Sequence, residues 1–204
     1  MNANLLTLYS DPLDPDCHRV RLLAAEKEDL VEVIEVHQHN IPEELLRINP
    51  TGSCPTLCDK DVMLTEAQVI MEYLDERFPN PVLLPIDPTE RAKIRMVLAT
   101  VRDFWFPRMK ILDDVGATLE QKEEARKILK KNLLELRPAF AHNEYCMSDE
   151  YTLIDVTLAP ILWRLKRYAI PIDDFGIEYE LYMKKVFTRK AFANSLSLFE
   201  EGMQ

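Results

Sequence analysis

Apolar positions in the first 78 residues switch between a two-residue and a 3.6-residue period. From about residue 88 onward they keep the helical period almost throughout. The run Leu5-Leu6-Thr7-Leu8-Tyr9 predicts a first strand. Asp14 then predicts a helix N-cap, with Pro15 at the first helical position and Asp16 complementing the helix dipole. Cys17, Val20, Leu23 and Ala24 follow on one face of that helix. Residues 31–36 predict a second strand, 42–48 a short helix, and Asn49-Pro50-Thr51-Gly52-Ser53 a turn. Thr56-Leu57-Cys58 and Val62-Met63-Leu64 read as paired strands around Asp59-Lys60-Asp61. An amphipathic helix over 65–78 should turn Val69, Ile70, Tyr73 and Leu74 inward, giving the order β-α-β-α-β-β-α.

Prolines 79, 81, 85 and 88 then interrupt helical hydrogen bonding. This predicts a first domain over 1–78, a linker over 79–88 and an all-helical domain over 89–204. In the latter, Ile94, Val97, Leu98, Val101 and Trp105 keep helical spacing, and Pro107 should kink that helix. Ile128, Leu129, Leu133 and Leu136 mark a second helix, separated from the first at Gly116 to make a hairpin. Thr152 and Asp155 form a capping pattern, flanked by Tyr151 and Val156 where a hydrophobic staple would sit. The helix behind that cap, with Leu158, Ala159, Ile161, Leu162 and Leu165, is apolar around most of its circumference and belongs in a core. A final helical stretch follows Gly176, through Tyr182, Val186 and Phe187.

Composition narrows the function classes. The 204-residue chain has an ordinary 47% hydrophobic and 29% charged content. No apolar run reaches the ~20 residues of a membrane span, and no secretory signal is visible at the N-terminus, so a cytoplasmic protein is expected. The net charge of −10 opposes direct binding to a phosphate backbone and favours basic protein partners. Four cysteines (17, 54, 58 and 146) read as free thiols. Cys54 and Cys58 lack a matching pair elsewhere, so no metal is expected. His18, His37 and His39 read as exposed, with His37 and His39 facing opposite sides of a strand end. Arg126, Lys127, Lys130-Lys131, Lys184-Lys185 and Arg189-Lys190 read as solvated helix faces.

Ser53-Cys54-Pro55-Thr56-Leu57, Glu66-Ala67 and the Thr152–Asp155 cap occur in the order found in glutathione transferases. The chain resembles that superfamily over nearly its whole length. The resemblance implies an α/β thioredoxin-like N-terminal domain plus an all-α C-terminal domain, a cis peptide at Pro55, and structural roles for Pro55, Thr152 and Asp155. Four further runs are similar to the stringent starvation protein A branch of the superfamily. They are Tyr9-Ser10-Asp11-Pro12, His18-Arg19-Val20-Arg21, Ala25-Glu26-Lys27, and Ile70 through Pro79; Leu158 through Leu165 also matches. That branch associates with RNA polymerase holoenzyme, including sigma factor, under starvation or stress, and generally lacks transferase activity. It implies a homodimer in which each thioredoxin-like domain packs on the partner's helical domain. The branch's Pro-His-Pro surface motif corresponds here to Pro79-Asn80-Pro81, the expected partner contact, and Asp87 replaces a tyrosine.

The residues oppose redox chemistry. The glutaredoxin-like Cys-Pro-Tyr-Cys run becomes Asp14-Pro15-Asp16-Cys17, which puts a carboxylate at the nucleophilic position. A transferase could instead use Ser10 or Tyr9, with Cys54, Pro55, Glu66 and Ala67 forming a vestigial glutathione site. Asp11, Asp14 and Asp16 cluster where a thiolate would develop, and Ala67 lacks the hydroxyl that commonly binds the γ-glutamyl carboxylate. No catalytic residue is therefore expected and no cofactor, with glutathione left open. The alternative reading is a glutathione transferase or glutathione-binding protein.

Overall fold

The computed structural model describes residues 6–28, 31–60, 62–141 and 143–203. A four-stranded sheet has the order β2-β1-β3-β4. Strand β1 (Leu6–Ser10) pairs in parallel with β2 (Val31–Glu35) and antiparallel with β3 (Thr56–Asp59), which pairs antiparallel with β4 (Val62–Leu64). Leu5 and Asp61, assigned above to a strand and a turn, lie outside the described residues. Helices α1 (Pro15–Glu26), α2 (Glu43–Ile48) and α3 (Ala67–Arg77) complete the β-α-β-α-β-β-α order.

Local capping sets these starts. The Asp14 carboxylate accepts the Cys17 N–H at 2.9 Å and that of Glu66 accepts the Val69 N–H at 3.0 Å. On α3 the inward face is Ala67, Ile70, Met71, Leu74 and Asp75, whereas Val69, expected inside, is exposed. A helix beginning at Ala67 places Ile70, Met71 and Leu74 on one stripe and turns Val69 away from it.

Compact units divide the chain at Leu83: Met1–Leu83 with Arg189–Gly202 form one, and Leu84–Thr188 the body of the other. The segment after residue 188, grouped above with the helical domain, thus clusters with the sheet. It carries two short helices that the apolar period did not signal, α9 (Lys190–Ser195) and α10 (Leu198–Glu201).

The second unit is helical. Helix α4 (Pro88–Thr100) begins at an Asp87 N-cap, so Pro88 opens a helix and does not belong to the linker. It continues through a π turn over Val101–Trp105 into α5 (Phe106–Asp113). Pro107 therefore widens the helix just ahead of itself, since its ring offers no N–H to the preceding turn. Helix α6 (Leu119–Leu136) starts at a Thr118–Gln121 capping box. Helix α7 (Leu153–Trp163) starts at the Thr152–Asp155 box and buries every residue from Leu153 to Leu162. Asp155 is fully buried, and accepts from the N–H groups of Cys146 (3.0 Å) and Thr152 (2.7 Å) and from the Tyr182 hydroxyl (2.8 Å). Burial pushes its carboxyl up against these donors. Helix α8 (Ile177–Phe187) follows Gly176, whose φ of +90° suits glycine alone. Arg126 is less solvated than expected, donating to the Tyr168 carbonyl at 2.7 Å.

Charge inside the first unit ties its two chain segments together. Arg21, on α1, pairs with Glu200 at 2.6 Å and donates to the Ser195 carbonyl at 3.0 Å. His18 lies between Glu200 (3.2 Å) and the Ser195 hydroxyl (3.1 Å) and is completely buried, not exposed. Arg189 forks onto both Glu26 carboxylate oxygens at 2.7 Å, so it is no free surface cation. Glu200 to Ala would leave Arg21 and His18 buried without their carboxylate. Denaturant unfolding should show a loss of about 3–5 kcal/mol. A loss below about 1 kcal/mol, the size of a surface pair, would contradict this role.

Candidate functional site

The end of β1 is where the sequence places the chemistry. Ser10 is fully buried, and its hydroxyl accepts a 2.6 Å hydrogen bond from Arg21. The same guanidinium also holds the Asp11 carbonyl at 3.0 Å. Tyr9 points the other way across the strand, into a core cluster with Val36 and Leu45, against which Ile34, Ile41, Cys54 and Cys58 pack. Burial, followed by Glu44, pushes its phenol above the ordinary value. Neither residue is among those that line the adjacent cavity.

Next to them a cavity of about 240 Å³ is lined by Asp11, Asp14, Val36, Gln38, Ser53 and Cys54, with Ile41 and Gly52. Its rim is a tightly bonded turn. Buried Asn49 donates to the Ser53 carbonyl at 3.2 Å and to the Thr56 hydroxyl at 2.9 Å. Gly52 has φ +62°, and a Cβ there would meet Ile41 at 3.0 Å. The Cys54–Pro55 bond that follows is cis. Of the residues expected to hold glutathione, Cys54 lines this cavity and Pro55 borders it in sequence. The Glu66 carboxylate is engaged as a helix cap, and Ala67 is buried beside it.

The cavity's electrostatics disfavour anions. Burial first, and then the Asp11 and Asp14 carboxylates, push the Cys54 thiol up to about 11. Cys17, buried under the helix start, is pushed well above its ordinary value by burial and by Asp14. Cys17 is thus a core residue, and its sulfur accepts the Asp11 N–H at 3.3 Å. His37 and His39, expected on opposite sides, stack at 5.7 Å because a turn closing on Asn40 replaces the strand there. No group of three or more metal-ligating side chains occurs among the described residues.

The Pro79-Asn80-Pro81 run is exposed at all three positions, and the Asn80–Pro81 bond is also cis. Val82 is half exposed, whereas Leu83 is buried. Two residues beneath this loop carry no role in the sequence reading. Lys27, just past α1, is 2% exposed, and Asp75, on the last turn of α3, is 7% exposed. They pair at 2.7 Å; Lys27 also donates to the Pro81 carbonyl at 2.5 Å and Asp75 accepts the Leu83 N–H at 3.1 Å. The available signal is a charge close to the core stripe at the end of each helix, Lys27 three residues after Ala24 and Asp75 next to Leu74, pointing to a buried partner of opposite sign.

No helix among the described residues is long and apolar enough to cross a membrane. The family model for the glutathione S-transferase N-terminal domain matches residues 5–76. The chain is 39% identical to a stringent starvation protein A homolog from Coxiella burnetii, over 100% of this chain and 97% of the relative. It is also 39% identical to one from Haemophilus influenzae, over 95% and 91%. A delta-class glutathione transferase from Nilaparvata lugens superposes with a TM-score of 0.85 over 97% of this chain and 96% of that one. At 20% identity this likeness speaks to the fold alone. The chain belongs to the stringent starvation protein A family, within the glutathione-transferase superfamily.

Proposed function

We propose that the chain acts by binding and not by catalysis. In this reading it is a cytoplasmic homodimer that docks on RNA polymerase holoenzyme, sigma factor included, through Pro79, Asn80 and Pro81, and shifts transcription under starvation or stress. The observation that carries the non-catalytic half is the Arg21–Ser10 bond. A hydroxyl that activates glutathione must reach the developing thiolate, and the one on Ser10 is buried and already engaged by a guanidinium. The Tyr9 hydroxyl sits on a core side chain. The nearby cavity then surrounds a thiol with carboxylates, which stabilises the protonated form and opposes the thiolate that conjugation needs.

The docking half rests on the family and on the loop. Membership in the stringent starvation protein A family supports a polymerase partner, and the loop that matches the branch's surface motif is exposed and anchored from below. Asn80 keeps a polar side chain there but cannot become cationic, so the contact this chain makes is neutral at that position. The net charge of −10 supports a protein partner over nucleic acid. The second reading, a glutathione-binding protein or transferase, is favoured by one observation, the cavity beside the cis-proline turn.

Two outcomes are expected. Alkylation of Cys54, followed peptide by peptide, should rise with pH to a midpoint of about 11. A midpoint at the ordinary thiol value of about 8.5 would remove the electrostatic argument. Affinity purification of the tagged chain from stationary-phase bacteria should recover polymerase core and sigma subunits. Combined Pro79→Ala, Asn80→Ala and Pro81→Ala should weaken that association about tenfold or more while moving the thermal midpoint by no more than about 4 °C. Equal recovery from the variant would take this loop out of the interface. Recovery of no polymerase, with retention on glutathione and measurable conjugation, would put the transferase reading first.

A further inference from the structure

Helical hydrogen bonding ends at Phe78, whose N–H donates to the Leu74 carbonyl at 3.0 Å, and the five residues that follow form no helix or strand. Two buried side chains supply what regular structure does not. The Lys27 ammonium holds the Pro81 carbonyl, and one Asp75 carboxylate oxygen holds both that ammonium and the Leu83 N–H. Burying such a pair is costly, and an apolar pair of similar volume commonly serves packing as well or better. An apolar pair could not hold a backbone carbonyl and a backbone amide of the same loop. The placement therefore makes most physical sense as a device that sets the loop's conformation.

We propose that Lys27 and Asp75 are positioning residues for docking. They fix the Pro79–Leu83 backbone from beneath, so that Pro79, Asn80 and Pro81 meet the partner already ordered. This rests on the docking reading above. Neither residue touches the partner, because both are buried while Pro79, Asn80 and Pro81 are exposed. Their contribution is the ordering cost that a preorganised loop avoids on binding. Lys27 stands at the C-terminal end of α1 and Asp75 near the end of α3, so the loop is referenced to two helices at once.

The test pairs Lys27→Met with Asp75→Leu. Together they remove both charges, so neither is left buried alone, and they remove both side-chain bonds to the loop backbone. Binding to purified polymerase holoenzyme should weaken about tenfold. Amide exchange should quicken at Val82 and Leu83 but not in β1 or α1. Adding the double change to a chain that already carries Pro79→Ala, Asn80→Ala and Pro81→Ala should cost little more, because residues acting through one loop are not additive. A purely structural role would give the same loss in both backgrounds, and that result overturns the proposal. Unchanged affinity of the double variant overturns it too, whatever the exchange shows. If the unaltered chain does not bind polymerase, the docking reading fails on its own. Exchange at Val82 and Leu83 then decides the positioning claim, quickened exchange supporting it and unchanged exchange overturning it.

Discussion

Arg21 is the side chain on which the first unit most depends. Its guanidinium is spent four ways: on Glu200, on the Ser195 carbonyl, on the Ser10 hydroxyl and on the Asp11 carbonyl. A buried cation needs that degree of satisfaction, since each unmet donor in a dry interior is expensive. Meeting the need draws the chain after residue 188 onto α1, where His18 and the Glu26–Arg189 fork add further ties. The same arrangement withdraws Ser10 from solvent. What stabilises the thioredoxin-like unit is therefore also what removes the hydroxyl nearest to a transferase's task.

Lys27 and Asp75 repeat the logic at a second place. There, too, opposite charges are buried together and their remaining hydrogen bonds go to backbone, in this case that of a loop whose outer face is exposed. One network engages and buries the Ser10 hydroxyl, and the other fixes the backbone of an exposed loop. The acidic cavity beside Cys54 fits the same division, because Asp11 and Asp14 raise the cost of any thiolate there.

Much of the fold was legible because its signals are local. Asp14 before Pro15, Thr152 three residues before Asp155, and the proline after Cys54 each act within a few residues, and the structure places a helix start or a turn at each. Pairings between residues 18 and 200, 21 and 200, or 26 and 189 leave no such trace. Sequence alone therefore places His18 outside and Arg189 in solvent, since the type of a residue does not reveal a partner more than 150 positions away. His37 and His39 were misplaced because strand alternation was applied to a turn. Val69 was misplaced because the inward stripe of α3 runs through Met71. At the candidate site Cys54 could be foreseen as a pocket residue. That Ser10 was closed off could not, because it follows from the long-range engagement of Arg21.

The most direct test of binding without catalysis is an amide-exchange footprint of the unaltered chain on purified RNA polymerase holoenzyme, with glutathione conjugation assayed on the same preparation. The account predicts a stable complex, protection concentrated at Asn80, Val82 and Leu83, and no conjugation above background. No complex, or protection confined to the cavity around Asp11, Asp14 and Cys54 together with measurable conjugation, would contradict it.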